Sequence, residues 1–579
     1  MPLTLTNHRV TDWVVRKIAV VGPGIVGMPM AAMLAHARVC EGTDTPATVT
    51  VIQRASPTSG WKVDAINAGR SPIGGVEPDL DRIVRASVSA GLLSATSDYG
   101  AARDADVVLF CTQTDKRGLA PDYGPLFEAV DGIAAALRDR PEGNVPLIIF
   151  ESTLAPSSMA TLVRDLFASR GLEEGRDVLL GNSPNRVMPG RLVERVAQSD
   201  KLVAGLHPDT PDLIARLYAR IVTGGALHRA NSMTAEVVKT LENAYRDVRI
   251  AFAAEVARWC DARDVDFFAL RAAVNERIEQ GDAANADPNA VPSGAVLVPT
   301  VGVGGHCLPK DGILLWWRAI EAGEDTARSL ILEARRINDA SPAETLKLTE
   351  RRFGAVKGRR VTLLGAAYRF NSEDTRNSPT LALARLLREA GATVTIHDPH
   401  VYPTDQNLTR AGLADVFTRD LAASVADADL VVACTAHREY LDGRAGILAA
   451  ATRAVGFVDA CNAWRRADIE RDGVGYAGIG RGSSAPSEAL VRDVVDAFRA
   501  VERGVANEVE GLCRFLNARY ARDAFNRVDF AEVQRIARTC VTGCAIVDAG
   551  PVIEPGSERG FRARLVDVAR GVAVSEGAP

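Results

Sequence analysis

The chain has 579 residues, which at about 150 residues per domain is too long for a single hydrophobic core and predicts three or four units. Apolar residues make up 47% of the chain, charged residues 24% and aromatic residues 5%, a balance that excludes wholesale disorder and favours α/β layers. Lys and Arg (68) nearly match Asp and Glu (73). The net charge of −5 offers no strong basic field, so we expect neither a nucleic-acid partner nor a membrane partner.

The cysteines number nine, an odd count scattered along a long chain, which argues against a disulfide framework. No C-x-x-C pair is present, so we expect no metal site. Residues 1–16 lack the apolar core of a signal peptide, and no apolar run reaches the roughly 18 residues of a membrane span. These features predict a reducing compartment, the cytoplasm.

A glycine-rich turn follows the first apolar segment. Lys17–Val21 predicts a strand, the sequence Gly-Pro-Gly-Ile-Val-Gly comes next, and Met28–Leu34 continues as an apolar helix. Glycines in this context let the backbone approach a pyrophosphate at the helix N-terminus, although the bare motif also occurs as a simple tight turn. We expect a dinucleotide to contact Gly22, Gly24, Ile25, Val26 and Gly27.

The next strand, Thr48–Ile52, ends without the acidic residue that usually holds the adenosine ribose. Gln53 and Arg54 stand there instead. An arginine at this point can accommodate a 2′-phosphate, so NADP is an alternative to NAD. Equally, Gln53 could donate a hydrogen bond to the ribose of NAD, and both cofactors stay open.

Strands and helices then alternate, which predicts a doubly wound parallel sheet. The expected strands are Val107–Cys111, Leu147–Phe150 and Val178–Leu180, and the expected helices are Leu126–Leu137 and Met159–Ala168. Glu151, Ser152 and Thr153 follow the second of these strands. They are therefore expected at the carboxyl edge of the sheet, where ligands bind.

A stretch without helix breakers runs from Ser232 to about Cys260. Its apolar residues recur at three- and four-residue steps, which predicts one long helix whose stripe forms a dimer surface. The stripe consists of Val237, Leu241, Ala244, Val248, Phe252 and Val256. Lys239 and Asn243 are four residues apart and share a face. A half-buried lysine could stabilise an alkoxide or act as a base, whereas a lone helical lysine is more often a solvated charge.

The sharpest local motif is Gly302–Asp311, in which glycines precede Cys307 and a proline opens an apolar helix. A thiol at a helix start meets the positive end of the helix dipole, and Lys310 is adjacent, so both favour the thiolate. Asp311 lies within one turn and could orient water. The motif predicts a nucleophilic cysteine, against the alternative of a small buried hydrophobe. His306 is expected to bind substrate or support the structure, because its side chain should diverge from that of Cys307.

A second α/β unit is predicted after a breaker-rich stretch, Gln280–Ser293. Its expected strands are Arg360–Leu364, Val394–His397, Leu430–Cys434 and Gly456–Val458. Asp374–Pro379 follows the first strand, and Arg376 suits a phosphate or a carboxylate, although it could also be a surface charge. After a linker at Ser483–Pro486, the tail is expected to form helices at Ser487–Tyr520 and Phe530–Cys540.

Taken in order, these motifs make the chain resemble the UDP-glucose/GDP-mannose dehydrogenase family from residue 17 to residue 482. The resemblance rests on Lys17–Gly27, Glu151–Thr153, Asn182–Gly190, Ala235–Tyr245, the Cys307 loop, Asp374–Pro379 and Ile479–Gly482. It implies oxidation of the C6 alcohol of a nucleotide sugar to a carboxylate with two equivalents of NAD. It also implies an α/β fold of two Rossmann-like doubly wound domains joined by a long central helix that forms a homodimer, to which this chain adds a mainly helical C-terminal extension.

The resemblance further implies roles for the matching residues. Cys307 would capture the aldehyde as a thiohemiacetal, and Asp311 would assist the attacking water. Lys239 and Asn243 would stabilise the oxyanion and place that water. The expected cofactor contacts beyond the glycine turn are Gln53, Arg54, Thr114, Glu151 and Thr153. The expected substrate contacts are Asn185, Arg186, Lys239, Asn243, Gly304, His306, Arg369 and Arg376, the last on the diphosphate.

Departures from the family pattern qualify this expectation. Asn185 stands where a Glu is usual, and because an amide is no base, thioester hydrolysis would depend on Asp311 or be slow. Arg369 replaces a common Lys and keeps its charge. The Ser-Pro-x-Arg-Val-x-Pro-Gly and Gly-Gly-His-Cys motifs resemble the UDP-N-acetylmannosamine and UDP-N-acetylglucosamine dehydrogenase branch, which makes polysaccharide precursors. The alternatives are a UDP-glucose or GDP-mannose 6-dehydrogenase, a two-electron enzyme, and a non-catalytic nucleotide-sugar-binding protein.

Four segments follow from this organisation. The predicted order is an N-terminal dinucleotide-binding domain at 1–230, a central helical domain with the Cys307 loop at 231–340, a nucleotide-sugar-binding domain at 341–482, and an extension of unknown role at 483–579.

Overall fold

The computed structural model describes residues 4–6, 9–74, 77–140, 145–187, 189–280, 294–470, 474–540, 543–552, 561 and 563–572. Residues 281–293 of the breaker-rich stretch therefore lie outside the described residues. The chain divides into two compact units. The first unit consists of Met1–Glu242, Leu314–Glu324 and Glu510–Ala545, and the second unit of Asn243–Ile313, Asp325–Val509 and Ile546–Pro579.

The first unit is built on an eight-stranded sheet. Two short antiparallel pairs lie outside the sheet: β1 Thr4–Thr6 with β2 Arg9–Asp12, and β7 Asp115–Arg117 with β8 Ala120–Asp122. The strands of the sheet are β3 Lys17–Val21, β4 Thr48–Ile52, β5 Leu93–Thr96, β6 Val107–Phe110, β9 Leu147–Phe150, β10 Leu179–Asn182, β11 Lys201–Gly205 and β12 Leu227–Asn231. The sheet order is β12-β11-β10-β9-β6-β3-β4-β5. Neighbouring strands are parallel except β10 and β11, so β11 and β12 run opposite to the other six.

Helices cover both faces of this sheet. They are α1 Gly27–His36, α2 Trp61–Asn67, α3 Leu80–Ser89, α4 Gly124–Arg138, α5 Arg164–Ser169, α6 Leu192–Gln198 and α7 Thr210–Tyr218. Alternate residues of β3 enter opposite cores: Ile18 and Val20 pack in the core that contains α1, whereas Ala19 and Val21 pack in the core that contains α4. This period of two, in strands buried on both sides, confirms the predicted doubly wound sheet.

The predicted long helix is α8, Ser232–Asp261, which starts in the first unit and ends in the second. It is followed by α9 Phe267–Arg277, α10 Leu308–Glu321, α11 Leu330–Asp339 and α12 Ser341–Phe353. The motif of Cys307 comes directly before α10, so the thiol stands at a helix start as the sequence predicts.

The second unit contains its own parallel sheet, with strands β13 Arg360–Leu364, β14 Thr393–His397, β15 Phe417–Thr418, β16 Leu430–Ala433, β17 Gly456–Asp459 and β18 Gly475–Gly478. Their order is β15-β14-β13-β16-β17-β18, with every neighbouring pair parallel. The accompanying helices are α13 Pro379–Glu389, α14 Gln406–Arg410, α15 Leu421–Ala426, α16 Arg438–Asp442, α17 Arg444–Ala450 and α18 Arg466–Ile469. A second Rossmann-like sheet is therefore confirmed.

The C-terminal extension is helical, as predicted, with α19 Glu488–Tyr520, α20 Phe530–Ala537 and α21 Arg564–Gly571. It does not form a compact unit of its own, because Glu510–Ala545 belongs to the first unit and the rest of the extension to the second. The four-segment division stays a prediction, and the compact units cut across it. None of the helices among the described residues is long and apolar enough to cross a bilayer.

Candidate active site

The glycine turn after β3 has the geometry that a dinucleotide needs. Gly22 has a φ of +93°, and a Cβ on it would lie 3.1 Å from the carbonyl oxygen of Cys111. A Cβ on Gly27 would lie 2.1 Å from the carbonyl oxygen of Gly22, so no larger residue fits at the start of α1. Space opens beside Gly24, where an added Cβ meets none of the described atoms within 4 Å. The turn fits a pyrophosphate that approaches the first amides of α1.

An ion pair lies at the end of β4, where an acidic residue is usual. The side-chain amide of Gln53 donates to Ser59 Oγ over 3.0 Å. Arg54 Nη1 lies 2.8 Å from Glu128 Oε2 of α4, and both side chains are about half exposed. The carboxylate of Glu128 opposes the 2′-phosphate that Arg54 alone would attract, and so this pair favours NAD.

Glu151 at the end of β9 is buried and accepts hydrogen bonds from several donors. Its carboxylate accepts from Lys201 Nζ over 2.7 Å and from the hydroxyl of Tyr218. Burial, followed by the charge of Glu151, raises the pKa of Tyr218 well above its usual value, so the hydroxyl stays a donor. Thr114 Oγ1 donates to the carbonyl oxygen of Thr153 over 2.7 Å, which ties the loop after β6 to the loop after β9.

Asn185, after β10, donates from its amide to Glu151 Oε2 over 3.0 Å. The departure from the family's Glu therefore avoids placing a second carboxylate against Glu151. Arg186 forms a buried ion pair with Glu242 of α8 and donates to Thr539 Oγ1 of the extension over 3.2 Å. The sequence predicted a substrate contact for Arg186; its guanidinium pairs with the buried Glu242 and the half-buried Thr539, and the substrate contact stays a prediction.

Lys239 of α8 is only 8% exposed. Among the described residues of its own unit, none accepts a hydrogen bond from its ammonium or pairs with it. The side-chain stem is buried while the ammonium stays accessible, so this nitrogen can meet a ligand. An ordinary surface lysine, whose whole side chain is solvated, therefore does not describe Lys239.

Cys307 is exposed and precedes the first residue of α10. The carbonyl oxygen of Cys307 accepts from the backbone N–H of Asp311 over 2.9 Å, which fixes the first turn of the helix. Asp311 is fully buried, accepts from Asn243 Nδ2 over 2.6 Å and pairs with the buried ammonium of Lys310. The positive charge of Lys310, which the sequence predicted to favour a thiolate at Cys307, therefore pairs with Asp311 instead.

Tyr368, which the sequence reading missed, fixes the glycine loop before Cys307. A Cβ on Gly304 would lie 2.3 Å from Tyr368 Cβ, and a Cβ on Gly305 would lie 2.9 Å from its Cζ. Gly305 also has a φ of +86° and donates its N–H to the carbonyl oxygen of Arg376 over 2.8 Å. The loop therefore has to be glycine, because the tyrosine ring and the Arg376 segment occupy the space that side chains would need.

Arg376 makes a two-pronged ion pair with Asp374, with Nε–Oδ1 and Nη2–Oδ2 distances of 2.9 and 2.5 Å. This hydrogen bonding raises the pKa of Arg376, which stays charged. Its side chain remains partly exposed, so an anion can reach it. Arg369 and His306 are half-buried in the same unit.

A buried pair that the sequence reading also missed supports the loop after β13. His437 Nε2 lies 3.1 Å from Asp398 Oδ2, and both side chains are fully buried. Asp398 accepts from the N–H groups of Ala366 and Ala367, and His437 Nδ1 accepts from the N–H of Asn371. Burial alone would raise the pKa of Asp398, but the hydrogen bonds from His437 and the backbone lower it to about 2. Both residues follow strand ends, which was the available signal in the sequence.

The predicted residues thus fall into two groups. The carboxyl ends of the first unit's parallel strands carry Gly22, Gly24, Ile25, Val26, Gly27, Gln53, Arg54, Thr114, Glu151, Thr153, Asn185 and Arg186. The first unit also carries Lys239, on α8, and the second unit carries Asn243, Gly304, His306, Cys307, Asp311, Arg369 and Arg376.

Family models match most of the chain. Residues 16–222 match the NAD binding domain of the UDP-glucose/GDP-mannose dehydrogenase family, residues 233–340 its central domain, and residues 362–466 its UDP binding domain.

Individual relatives agree with these models. The chain is 31% identical to the UDP-N-acetyl-D-mannosamine dehydrogenase of Pyrococcus horikoshii over 474 residues, which cover 80% of this chain and 99% of the relative. The crystal structure of the NDP-N-acetyl-D-galactosaminuronic acid dehydrogenase of Methanosarcina mazei matches with a TM-score of 0.67 and 30% identity, over 81% of this chain and 96% of that chain. The structure of the Pyrococcus horikoshii enzyme matches with a TM-score of 0.65, over 81% of this chain and 100% of that chain.

The glycine turn that fits NAD, the second Rossmann-like sheet and the exposed thiol before α10 all agree with these matches. The chain belongs to the UDP-glucose/GDP-mannose dehydrogenase family and is an NAD-dependent nucleotide-sugar dehydrogenase.

Proposed function

We propose that this enzyme oxidises the C6 hydroxymethyl group of a UDP-N-acetylhexosamine to the carboxylate, in two oxidations that proceed through a thiohemiacetal and a thioester on Cys307. The observation that carries the proposal is the exposed thiol of Cys307, one helical turn from the part-buried Asp311–Asn243 hydrogen bond. The names of the relatives, which include UDP-N-acetyl-D-mannosamine and NDP-N-acetyl-D-galactosaminuronic acid dehydrogenases, support the sugar class.

The UDP moiety is assigned to the second unit, whose sequence matches the family's UDP binding domain. Partly exposed Arg376 would pair with the diphosphate, since a guanidinium matches phosphate oxygens well and Asp374 holds it in a fixed orientation. Arg369 adds a second cation in the same loop region. The glycine turn of the first unit would hold NAD, which would supply the hydride acceptor for both oxidations.

In the first oxidation the C6 hydroxyl would pass its proton to water as its carbon loses hydride. Lys239 would stabilise the developing alkoxide, because its accessible ammonium has no acceptor among the described residues of its unit. Asn243, one turn further along α8, would donate to the same oxygen or place the later water.

The second oxidation needs a covalent adduct, since a free aldehyde has no tetrahedral carbon from which hydride can leave. The thiol of Cys307 adds to the aldehyde carbon, with its proton passing to the aldehyde oxygen, and forms a thiohemiacetal. Loss of hydride and of the hydroxyl proton converts the adduct to a thioester. Water then hydrolyses the thioester, which releases the carboxylate and restores the thiol.

Asp311 would orient or deprotonate that water, because Asn185 is an amide and its nitrogen is engaged by Glu151. Hydrolysis of the thioester would therefore depend on the single carboxylate of Asp311. A two-electron enzyme, which stops after the first hydride transfer at the aldehyde or its thiohemiacetal, is the second candidate, and Asn185 in place of the family's Glu is the departure that motivates it.

The test is to count reduced cofactor per sugar consumed. UDP-N-acetylmannosamine, UDP-N-acetylglucosamine, UDP-N-acetylgalactosamine, UDP-glucose and GDP-mannose would be compared, with NAD as oxidant. Two NADH per sugar on one UDP-N-acetylhexosamine is the expected result. One NADH per sugar would establish the two-electron reading, a preference for UDP-glucose or GDP-mannose would overturn the sugar class, and no turnover on the panel would contradict the proposal as a whole.

Cys307→Ser tests the covalent step. It should abolish carboxylate formation while leaving the melting temperature unchanged, because the side chain is exposed. Cys40→Ser, at a half-exposed cysteine of the first unit, is the matched control and should retain full activity.

A further inference from the structure

The part of α8 that lies in the second unit is enclosed by the chain itself. Between Asn243 and Asp261, residues on every side of the helix are buried. Those at most 1% exposed are Ala244, Val248, Ala251, Phe252, Ala253, Val256, Ala257 and Cys260. The apolar stripe that the sequence suggested as a dimer surface therefore has no open face in this segment. What covers it decides whether a second subunit can pack there.

Aromatic side chains of the extension lie on the stripe. Phe252 of α8 packs edge-to-face against Phe498 of α19, with ring centroids 5.8 Å apart, and against Phe561, at 6.2 Å. Phe561 also packs against Trp259 at 6.2 Å. Edge-to-face aromatic pairs contribute about 0.5–1.5 kcal/mol each beyond the area they bury.

The extension presents its own apolar stripe to this unit. Val494, Phe498, Val501 and Val505 recur at three- and four-residue steps along α19, and all are at most 4% exposed. At 1.5 Å per residue, α19 extends about 50 Å and α8 about 45 Å, so the extension supplies a helix as long as the one it contacts.

Polar contacts fix the register of this packing. Tyr245 donates from its hydroxyl to Glu502 Oε2 over 2.5 Å, and both side chains are buried. Glu255 of α8 accepts from the backbone N–H groups of Arg564 and Leu565 over 2.8 and 3.1 Å, and so caps the start of α21. Buried polar contacts of this kind specify one arrangement of the extension on α8, whereas non-specific hydrophobic packing would not require them.

We propose that the C-terminal extension occupies, on α8, the place of a second subunit, so that residues 243–261 pack against their own chain and take no part in a dimer interface. The matched family ranges end at residue 466, so the extension is an addition to the part of the chain that those models describe. The proposal is independent of the substrate and of the catalytic steps.

Site-specific photo-crosslinking tests whether the cover comes from the same chain. Trp259→p-benzoylphenylalanine places the probe at a half-buried residue whose ring touches Phe561. After irradiation, the crosslinked full-length protein should run at the single-chain mass of 61.7 kDa on a denaturing gel. Peptide mass spectrometry should join residue 259 to the segment that contains Phe561. A product at twice the chain mass would show that another copy covers α8 and would overturn the proposal.

A second probe is placed on the extension, so that the test can still be made if the Trp259 variant does not fold. Arg564→p-benzoylphenylalanine uses a side chain that is 69% exposed, while its backbone contacts Glu255. It should crosslink to α8 or to α11, where Glu333 pairs with Arg564, within one chain. Trp61→p-benzoylphenylalanine, at an exposed residue of α2, is the control and should give no link to the extension. Failure of the Trp259 probe to reach the extension, together with failure of the Arg564 probe to reach α8 or α11, would equally overturn the proposal.

Discussion

Asn243 of α8 donates a 2.6 Å hydrogen bond from its amide to the carboxylate of Asp311 on α10. This contact joins the long helix to the helix that Cys307 precedes, and it lies within one compact unit. Asp311 is fully buried, so its second oxygen needs a partner of its own, which Lys310 provides. The first turn of α10 is thereby fixed before any substrate binds, which is the preorganisation that a reacting thiol needs.

Asp311→Asn should weaken both the fold and the reaction. The change removes the carboxylate that pairs with the buried Lys310, and breaking a buried pair typically costs about 3–5 kcal/mol. It also removes the group proposed to activate water, so carboxylate formation should fall by about 100-fold or more. Thermal unfolding and a quenched product assay measure the two effects. Asp427→Asn, at a largely exposed side chain, is the control and should change neither; normal carboxylate formation in Asp311→Asn would exclude the water-activating role.

Asn185→Asp should destabilise the first unit at neutral pH by about 1–3 kcal/mol, because it sets a second carboxylate against Glu151. The neighbouring charge raises the pKa of the new carboxyl in the folded state above its unfolded value. The penalty is therefore present above the folded pKa and disappears as the pH falls towards the unfolded value of about 3.9. Melting temperatures from pH 8 to pH 5 should show the gap to the wild type closing. Asn185→Ala, which loses only a hydrogen bond, should show a gap that does not change with pH.

Glu128→Gln should let the enzyme use NADP. The change releases Arg54 from its exposed ion pair and removes the negative charge that opposes a 2′-phosphate. Exposed pairs contribute at most about 1 kcal/mol, so the efficiency with NADP should rise roughly fivefold without loss of stability. The ratio of kcat/KM for NADP and NAD is the measurement. Arg54→Gln should not gain NADP activity, and an unchanged ratio in Glu128→Gln would show that the pair plays no part in cofactor choice.

Glu502→Gln should change how stability depends on pH. Burial raises the pKa of Glu502 to about 7, against the opposing effects of Arg249 and of the Tyr245 hydrogen bond. Between the unfolded pKa of about 4.3 and this value the folded state holds the extra proton, so stability falls as the pH rises, by about 4 kcal/mol in total. The variant cannot titrate there. Its melting temperature relative to the wild type should therefore be higher at pH 8 than at pH 5, and parallel curves would contradict the assignment.

Local patterns in the sequence were sufficient to predict the secondary-structure elements. The glycine turn, the α8 periodicity and the Cys307 motif each depend on residues within one or two turns or strands, and the structure places them in the predicted elements. Backbone geometry explains this success, since a φ of +93° at Gly22 or a closed first turn at Asp311 is set by neighbouring residues.

Partners that are distant in the chain could not be read in this way. Arg186 meets Glu242 and Thr539, and Tyr368 closes on Gly304, although nothing in the intervening sequence specifies these meetings. The sequence therefore expected a ligand contact at Arg186, and it gave no sign of Tyr368.

The apolar stripe of α8 shows most clearly what the sequence determined and what only the tertiary structure determined. The sequence by itself determined that this helix has to bury a continuous apolar face, because an exposed stripe of that length is unfavourable in water. It did not determine the partner, since Phe498, Phe561 or a second copy of α8 would satisfy the hydrophobic effect equally well. Only the tertiary structure shows that residues of the extension pack on it, through directional contacts such as Tyr245 to Glu502 and Glu255 to the start of α21, because these partners are distant in the chain.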